Sequence, residues 1–291
     1  MIRSSLWSRA FDGVNVALLL MFSLGTVLPF IHVIASSFAS ERLVAETDFL
    51  LFPTEFSLKA YQYIFSSDAL PRSMGVSVFV TVAGTALNLF MTSLMAYSLS
   101  RRTIRFRAPI MFLVVFTMIF QGGLIPDYLV VKELGLLDSY WALMLPRAIL
   151  PFYLIILINF FKQLPDGLEE SARIDGCGDL RLLFRIVLPL SLPALATLTL
   201  FYAVMHWNTY MHAILYINDM DKWPIQVLLR QIVLISQAGF VEQGSVEGEA
   251  SIPPDTVRMA VITVATFPIL LVYPFLQKYF ASGILLGSVK G

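Results

Sequence analysis

Six apolar runs, at residues 14–38, 74–99, 109–131, 140–161, 187–211 and 257–280, set the limits on what this chain can fold into. Each is long enough to cross a hydrocarbon core of about 30 Å as a helix rising about 1.5 Å per residue. Lipid offers the backbone no hydrogen-bond partners, so every N–H and C=O in a run must pair within its own segment, and helices are the expected form. The composition agrees: 57% of the 291 residues are hydrophobic and only 14% are charged, against roughly 25% charged in soluble domains. The expected fold class is an all-α membrane protein of six transmembrane helices forming one domain over 1–291. Arg3 and Arg9 ahead of the first run, with the small residues "ASSFAS" behind it, resemble a secretory leader. The run exceeds the roughly 7–15 residues of a leader core, so a retained span is expected instead.

Net charge is zero, with 20 basic and 20 acidic residues, which points to no nucleic-acid partner. Their distribution says more. With the N-terminus inside, Arg3, Arg9, Arg101, Arg102, Arg105, Arg107, Lys162, Arg173, Arg181, Arg185, Lys278 and Lys290 fall in segments facing the cytoplasm. Cytoplasmic loops are enriched in Lys and Arg, so both termini are expected in the cytoplasm of a multi-pass protein of the cytoplasmic (inner) membrane. A long external loop is expected at about 212–256, carrying the amphipathic stretch "WPIQVLLRQIVLISQ". Cys177 is the single cysteine, which excludes an intrachain disulfide and a cysteine-clustered metal site. Prolines punctuate several runs, and "QGGLIPDY" at 121–128 marks the third span as the one to be broken or re-entrant.

The break between the fourth and fifth runs reads "EESARIDGCGDLRLLFRIVLPLSLP", residues 169–193. Asp166 and Glu169 have the spacing of a capping box opening a short helix. Gly176 can take the left-handed backbone of a sharp turn, and Asp179 stands where it would cap a second helix running into the fifth span. The expectation is a helix–turn–helix spanning about 163–186. Ser171 and Ala172 are small enough for another backbone to approach, Ile174 offers an apolar contact, and Glu169, Glu170, Arg173 and Asp175 offer charge. Those residue types suit a docking knob for a soluble protein, and an ordinary amphipathic connector remains the competing reading.

The spacing Glu170-Ser171-Ala172, then Gly176, then Ile186 and Leu188-Pro189 resembles the EAA motif of permease subunits in binding-protein-dependent ABC importers, with Ser171 in place of the middle Ala. "GGLIPDYLVVKELGLLDSYWALMLP" and "YFASGILLGSVKG" resemble the carbohydrate branch, the maltose G-type and polysaccharide-oligomer permeases. The resemblance implies a type I importer permease fold, a second permease subunit, two ATPase subunits and an external solute-binding protein. It also implies an oligosaccharide cargo, with the smaller permease of an alginate importer as the most specific relative. It assigns Glu169, Glu170, Ser171, Ala172, Ile174, Asp175 and Gly176 to ATPase coupling, with Glu170 the candidate for a salt bridge to the ATPase, and brings Lys290 and Gly291 near that partner.

Other chemistry is missing from the sequence. There is no Gly-Lys dipeptide and hence no phosphate-cradling loop, so no cofactor is expected in this chain and ATP and Mg belong to the partner ATPase. His32, His206 and His212 do not have metal-helix spacing and are expected to be packing or interface residues. Asp127 and Arg147 are the main ionisable groups within the runs, too few for an ion-coupled carrier, which is the alternative from a different class; a permease for a non-sugar solute is the other. Trp207, Asn208 and Tyr210 could line a sugar path by stacking or belong to an interfacial aromatic belt.

Overall fold

The computed structural model describes residues 6–101, 104–120, 122–238 and 255–288. The sequence expectations for Arg3, Arg102, Gln121, residues 239–254, Lys290 and Gly291 lie outside the described residues. Among the described residues all regular structure is helical: α1 (Leu6–Ser37), α2 (Glu41–Glu46), α3 (Lys59–Ser66), α4 (Ala69–Ser100), α5 (Arg107–Ile119), α6 (Leu124–Glu133), α7 (Trp141–Met144), α8 (Pro151–Phe161), α9 (Asp166–Ile174), α10 (Asp179–Leu182), α11 (Leu188–Leu190), α12 (Leu192–Trp207), α13 (Met211–Tyr216), α14 (Ile225–Ala238) and α15 (Asp255–Ser288). Helices α1, α4 and α15 are each long and apolar enough to cross a membrane unbroken.

The other expected spans are interrupted where proline or glycine denies the backbone a regular bond. The third is parted between α5 and α6, as "QGGLIPDY" implied, with Gly123 in the left-handed region at φ 87°. The fourth bends by 53° between Trp141–Arg147 and α8. The fifth is a correction. The helix Asp179–Leu190 does not run straight into it but meets α12 at 86°. Pro189 and Pro193 each remove one i→i−4 donor around that corner. Residues Leu183–Val187 loosen into a π-turn just before it.

Contacts gather into two compact units, residues 1–70 with 229–267 and residues 71–228 with 268–291. In the first, the α1 C-terminus carries a small cluster. His32 Nδ1 accepts from the Leu50 N–H at 2.9 Å and its ring stacks on Phe49. Ser37 Oγ meets Tyr61 OH at 2.8 Å, and Phe38 stacks between Phe56 and Tyr61. Along most of its length α1 exposes its apolar side chains, a surface suited to lipid or another membrane subunit.

The second unit holds two cores. One packs Leu154, Leu157, Phe161, Leu182, Leu183 and Leu198 around the Ser100 end of α4. The other gathers Val76, Val80, Leu143, Tyr216 and Val227 around its Ala69 end. At that second end the Asp138 carboxylate accepts from the Asn218 and Asp219 N–H groups, both at 2.9 Å. The Asp219 N–H above all, helped by that of Asn218 and by Lys222, holds the Asp138 carboxyl below its ordinary value of 3.8. A depressed carboxyl pKa stabilises above the unfolded value and is lost as pH falls through the folded one. Amide exchange at Asn218 and Asp219 is therefore expected to stay protected down to the ordinary carboxylate range and to open only below it.

The bend in the fourth span leaves backbone groups that neighbouring helices satisfy. Pro151 cannot donate to the Arg147 carbonyl, which is instead bonded by Asn88 Nδ2 from α4; Ala148 O receives the same amide at 3.1 Å. With Nδ2 so used, Asn88 Oδ1 accepts from His206 Nε2 at 2.7 Å. From α12 the Tyr202 hydroxyl accepts the Leu150 N–H at 3.3 Å and pairs with Thr92 Oγ1 at 2.8 Å. Asn88 and Tyr202 are both wholly buried. Replacing Asn88 with Leu keeps the branched outline but orphans the carbonyls, at a cost of about 1–3 kcal/mol. Thermal unfolding of the purified chain in detergent is expected to show that loss for Asn88→Leu and a smaller one for Tyr202→Phe.

Candidate functional site

The elbow between the fourth and fifth spans is built from α9, a turn and the α10–α11 rod. α9 opens at Asp166 with Pro165 in the cap position, so Asp166 stands one place too far into the helix for the capping box read from Asp166 and Glu169. Glu169 has a stronger partner. Its carboxylate turns inward and pairs with the Arg101 guanidinium at the end of α4. That guanidinium also lies over the Tyr97 ring, 4.5 Å from its centroid, a favourable placement for a cation. Next to them, on the same edge of α9, Ala172 is buried in the core around Leu154 and Leu183.

The turn closes as a Schellman motif. Gly176 sits at φ 79°, its N–H donates to Arg173 O at 3.0 Å, and the Cys177 N–H reaches back to Ala172 O at 2.9 Å. Cys177, half-buried, packs on the same core as Ala172, the apolar contact that usually accompanies this motif. The second helix begins after Gly178 without a side-chain cap. Asp179, expected as that cap, instead accepts from Arg173 Nη2 at 2.7 Å across the turn. Both partners are solvated, so this pair adds about 0–1 kcal/mol and mainly fixes the turn's direction.

The seven residues assigned by sequence to coupling are therefore split by the helix period. Glu169 and Ala172, three apart, face the core; Glu170, Ser171 and Ile174 lie about half a turn round and are exposed, as are Asp175 and Gly176 in the turn. Ser171 donates to Gly167 O at 2.8 Å and so lies close against its own helix. Ile174 is 86% exposed. A bare isoleucine on a helix flanked by Glu170, Arg173 and Asp175 has the make-up of a contact patch.

Trp207, Asn208 and Tyr210 are not brought together. Trp207 lines a cavity of about 540 Å³, with Thr81, Tyr153, Phe201 and Tyr273 among its walls. Its buried indole N–H finds no acceptor among the described residues. Asn208 bonds back to Val204 O at 2.8 Å, and Tyr210 packs on the core at the Ala69 end of α4.

Sequence reasoning missed Arg101 as a site residue, having counted it only as a cytoplasmic charge. It also passed over Asn88, whose signal was present: an amide inside an apolar run requires a buried partner. For the turn, a Cβ at Gly176 would meet nothing within 4 Å, so the backbone alone resists substitution. Gly176→Ala is expected to cost about 1 kcal/mol. Gly176→Pro cannot take the turn's φ and loses the N–H, costing about 3 kcal/mol or more. Exchange of the Cys177 amide is the local measurement.

Comparison with known proteins bears on this elbow directly. The profile of the family described as binding-protein-dependent transport system inner membrane component matches residues 106–285, which contain it. The chain is 64% identical over 285 residues to the polygalacturonan/rhamnogalacturonan transport system permease protein YtcP of Bacillus subtilis, covering 98% of this chain and 99% of that one. It is 30% identical over 273 residues to the trehalose/maltose transport system permease protein MalG of Thermococcus litoralis, covering 91% and 92%. A chain in the crystal structure of a bacterial ABC transporter involved in the import of the acidic polysaccharide alginate superposes with a TM-score of 0.86 at 33% identity. The match covers 96% of this chain and 100% of that one.

Proposed function

Since the chain belongs to the family of binding-protein-dependent transport system inner membrane components, we propose that it is one of two permease subunits of an ABC importer for acidic oligosaccharides, driven through the exposed face of α9. The observation that carries the coupling role is the arrangement on that helix. Glu170, Ser171 and Ile174 form one solvent-facing patch while Glu169 and Ala172 tie the opposite edge to the core. A patch so mounted receives a push without deforming. Two ATPase subunits supply it, binding the ATP and Mg for which this chain carries no phosphate loop. Both termini lie in the cytoplasm with the elbow, and an external solute-binding protein delivers cargo to the opposite face.

The working cycle follows from the joints. Closure of the ATPases moves α9, the corner at Ser191 passes that movement to α12, and the bent fourth and fifth spans switch the path from inward to outward opening. No covalent step falls on this chain. For the cargo, the polygalacturonan/rhamnogalacturonan relative and the alginate importer share one chemistry: polymers that contain carboxylate-bearing uronate rings. A cargo of uronate-bearing oligosaccharides is therefore the reading, and Trp207 is the position at which this chain would stack a sugar ring.

Reconstituted with its partners, the importer is expected to take up oligogalacturonates or alginate oligomers in a vanadate-sensitive way and to leave neutral maltooligosaccharides outside. Uptake abolished by a proton uncoupler with ATP intact would assign the chain to ion-coupled carriers instead. Glu170→Lys is expected to insert normally yet lower ATPase co-purification and uptake together, by at least about tenfold. Retention of both would remove the docking role from α9.

A further inference from the structure

We infer that Glu169 is a positioning residue of the transport cycle, and that its ion pair with Arg101 is the strut through which movement of α9 reaches the second span. The inference rests on the coupling reading above and concerns the opposite edge of the same helix. Four observations carry it. The pair joins α9 to Arg101, the residue that directly follows α4, a helix of 32 residues. Its two side chains are only 17% and 12% exposed, the best shielded of the ion pairs among the described residues. Salt and water screen such a pair weakly, so it holds under load where a solvated pair would give.

The Arg101 end is also fixed from two further sides. Tyr97 presents its ring beneath the guanidinium. Arg107 Nε donates to the Leu99 carbonyl at 2.8 Å, closing the terminus of α4 just before Arg101. Finally, Ala172, three residues along the same edge, is buried in the same core cluster as Tyr97, so core packing and the ion pair both anchor that edge of α9. A pull on the exposed patch has no slack to take up before α4 feels it. The adjacent carboxylates divide the labour: Glu170 faces outward to the motor and Glu169 inward to the span.

The test uses the complete importer, with partner permease, ATPases and binding protein, in proteoliposomes. It records ATPase retention, binding-protein-stimulated hydrolysis and uptake for Glu169→Gln, Arg101→Lys and Glu170→Lys. In Glu169→Gln the ATPases stay bound and hydrolysis continues, while uptake per ATP falls about tenfold, the scale of a typical coupling between sites. Arg101→Lys, which keeps a cation over Tyr97, holds the ratio near that of the unaltered protein. An unchanged ratio in Glu169→Gln overturns the inference. So does a proportional loss of retention, hydrolysis and uptake, which would make the pair a stability contact only. Loss of the ATPases from a folded Glu169→Gln chain would make Glu169 a docking residue and equally overturn it. Glu170→Lys tests docking separately, so failure of that reading is visible on its own.

Discussion

A peptide group in hydrocarbon has nowhere to turn but to its own protein, and the architecture around α4 follows from that constraint. Prolines bend the fourth and fifth spans, and each bend strips partners from carbonyls or amides. At the fourth span the debt of hydrogen bonds is met from two directions, by Asn88 on α4 and Tyr202 on α12. These two polar side chains make the bend a fixed joint and hold three helices in one geometry. Buried hydrogen bonds of this kind gain strength from the low dielectric around them. A permease that must change shape as a few stiff bodies needs such joints, since a bundle of straight apolar helices in lipid has no strong preference for one angle.

The elbow obeys a different rule because it lies where water competes. Its rigidity comes from a turn closed by backbone bonds at Gly176, a shielded ion pair at Glu169 and a small residue, Ala172, that lets the helix approach the core. The opposite edge, with Glu170, Ser171 and Ile174, is exposed. The family match places this segment within the matched region, and the near-perpendicular corner at Ser191 gives the rod leading away from it a direction across α12.

Much of this was legible before any coordinates. Long apolar runs announce helices, Gly122-Gly123 ahead of Pro126 announces the break in the third span, and Gly176 announces a left-handed turn. These signals are local, set by what a few neighbouring residues can do with φ and ψ. What sequence could not separate was Glu169 from Glu170. The two carboxylates are chemically alike and differ by one step of about 100° around a helix, and only a partner far along the chain decides which one turns inward. The apparent capping box failed for a backbone reason: Pro165 holds the cap position and has no N–H to offer the Glu169 carboxylate. The corner at Ser191 was hidden too, because a proline pair states that a helix is weakened without stating the angle it will adopt.

The exposure of Ile174 has a consequence for the life of the chain before assembly. A copy released from the insertion machinery without its companions carries an uncovered hydrophobic spot on a rigid, water-facing peg. Such a spot is what surveillance chaperones and proteases recognise, and burying it removes the signal. On the proposed docking role of α9, assembly covers that side chain, and only surplus copies keep the exposed spot.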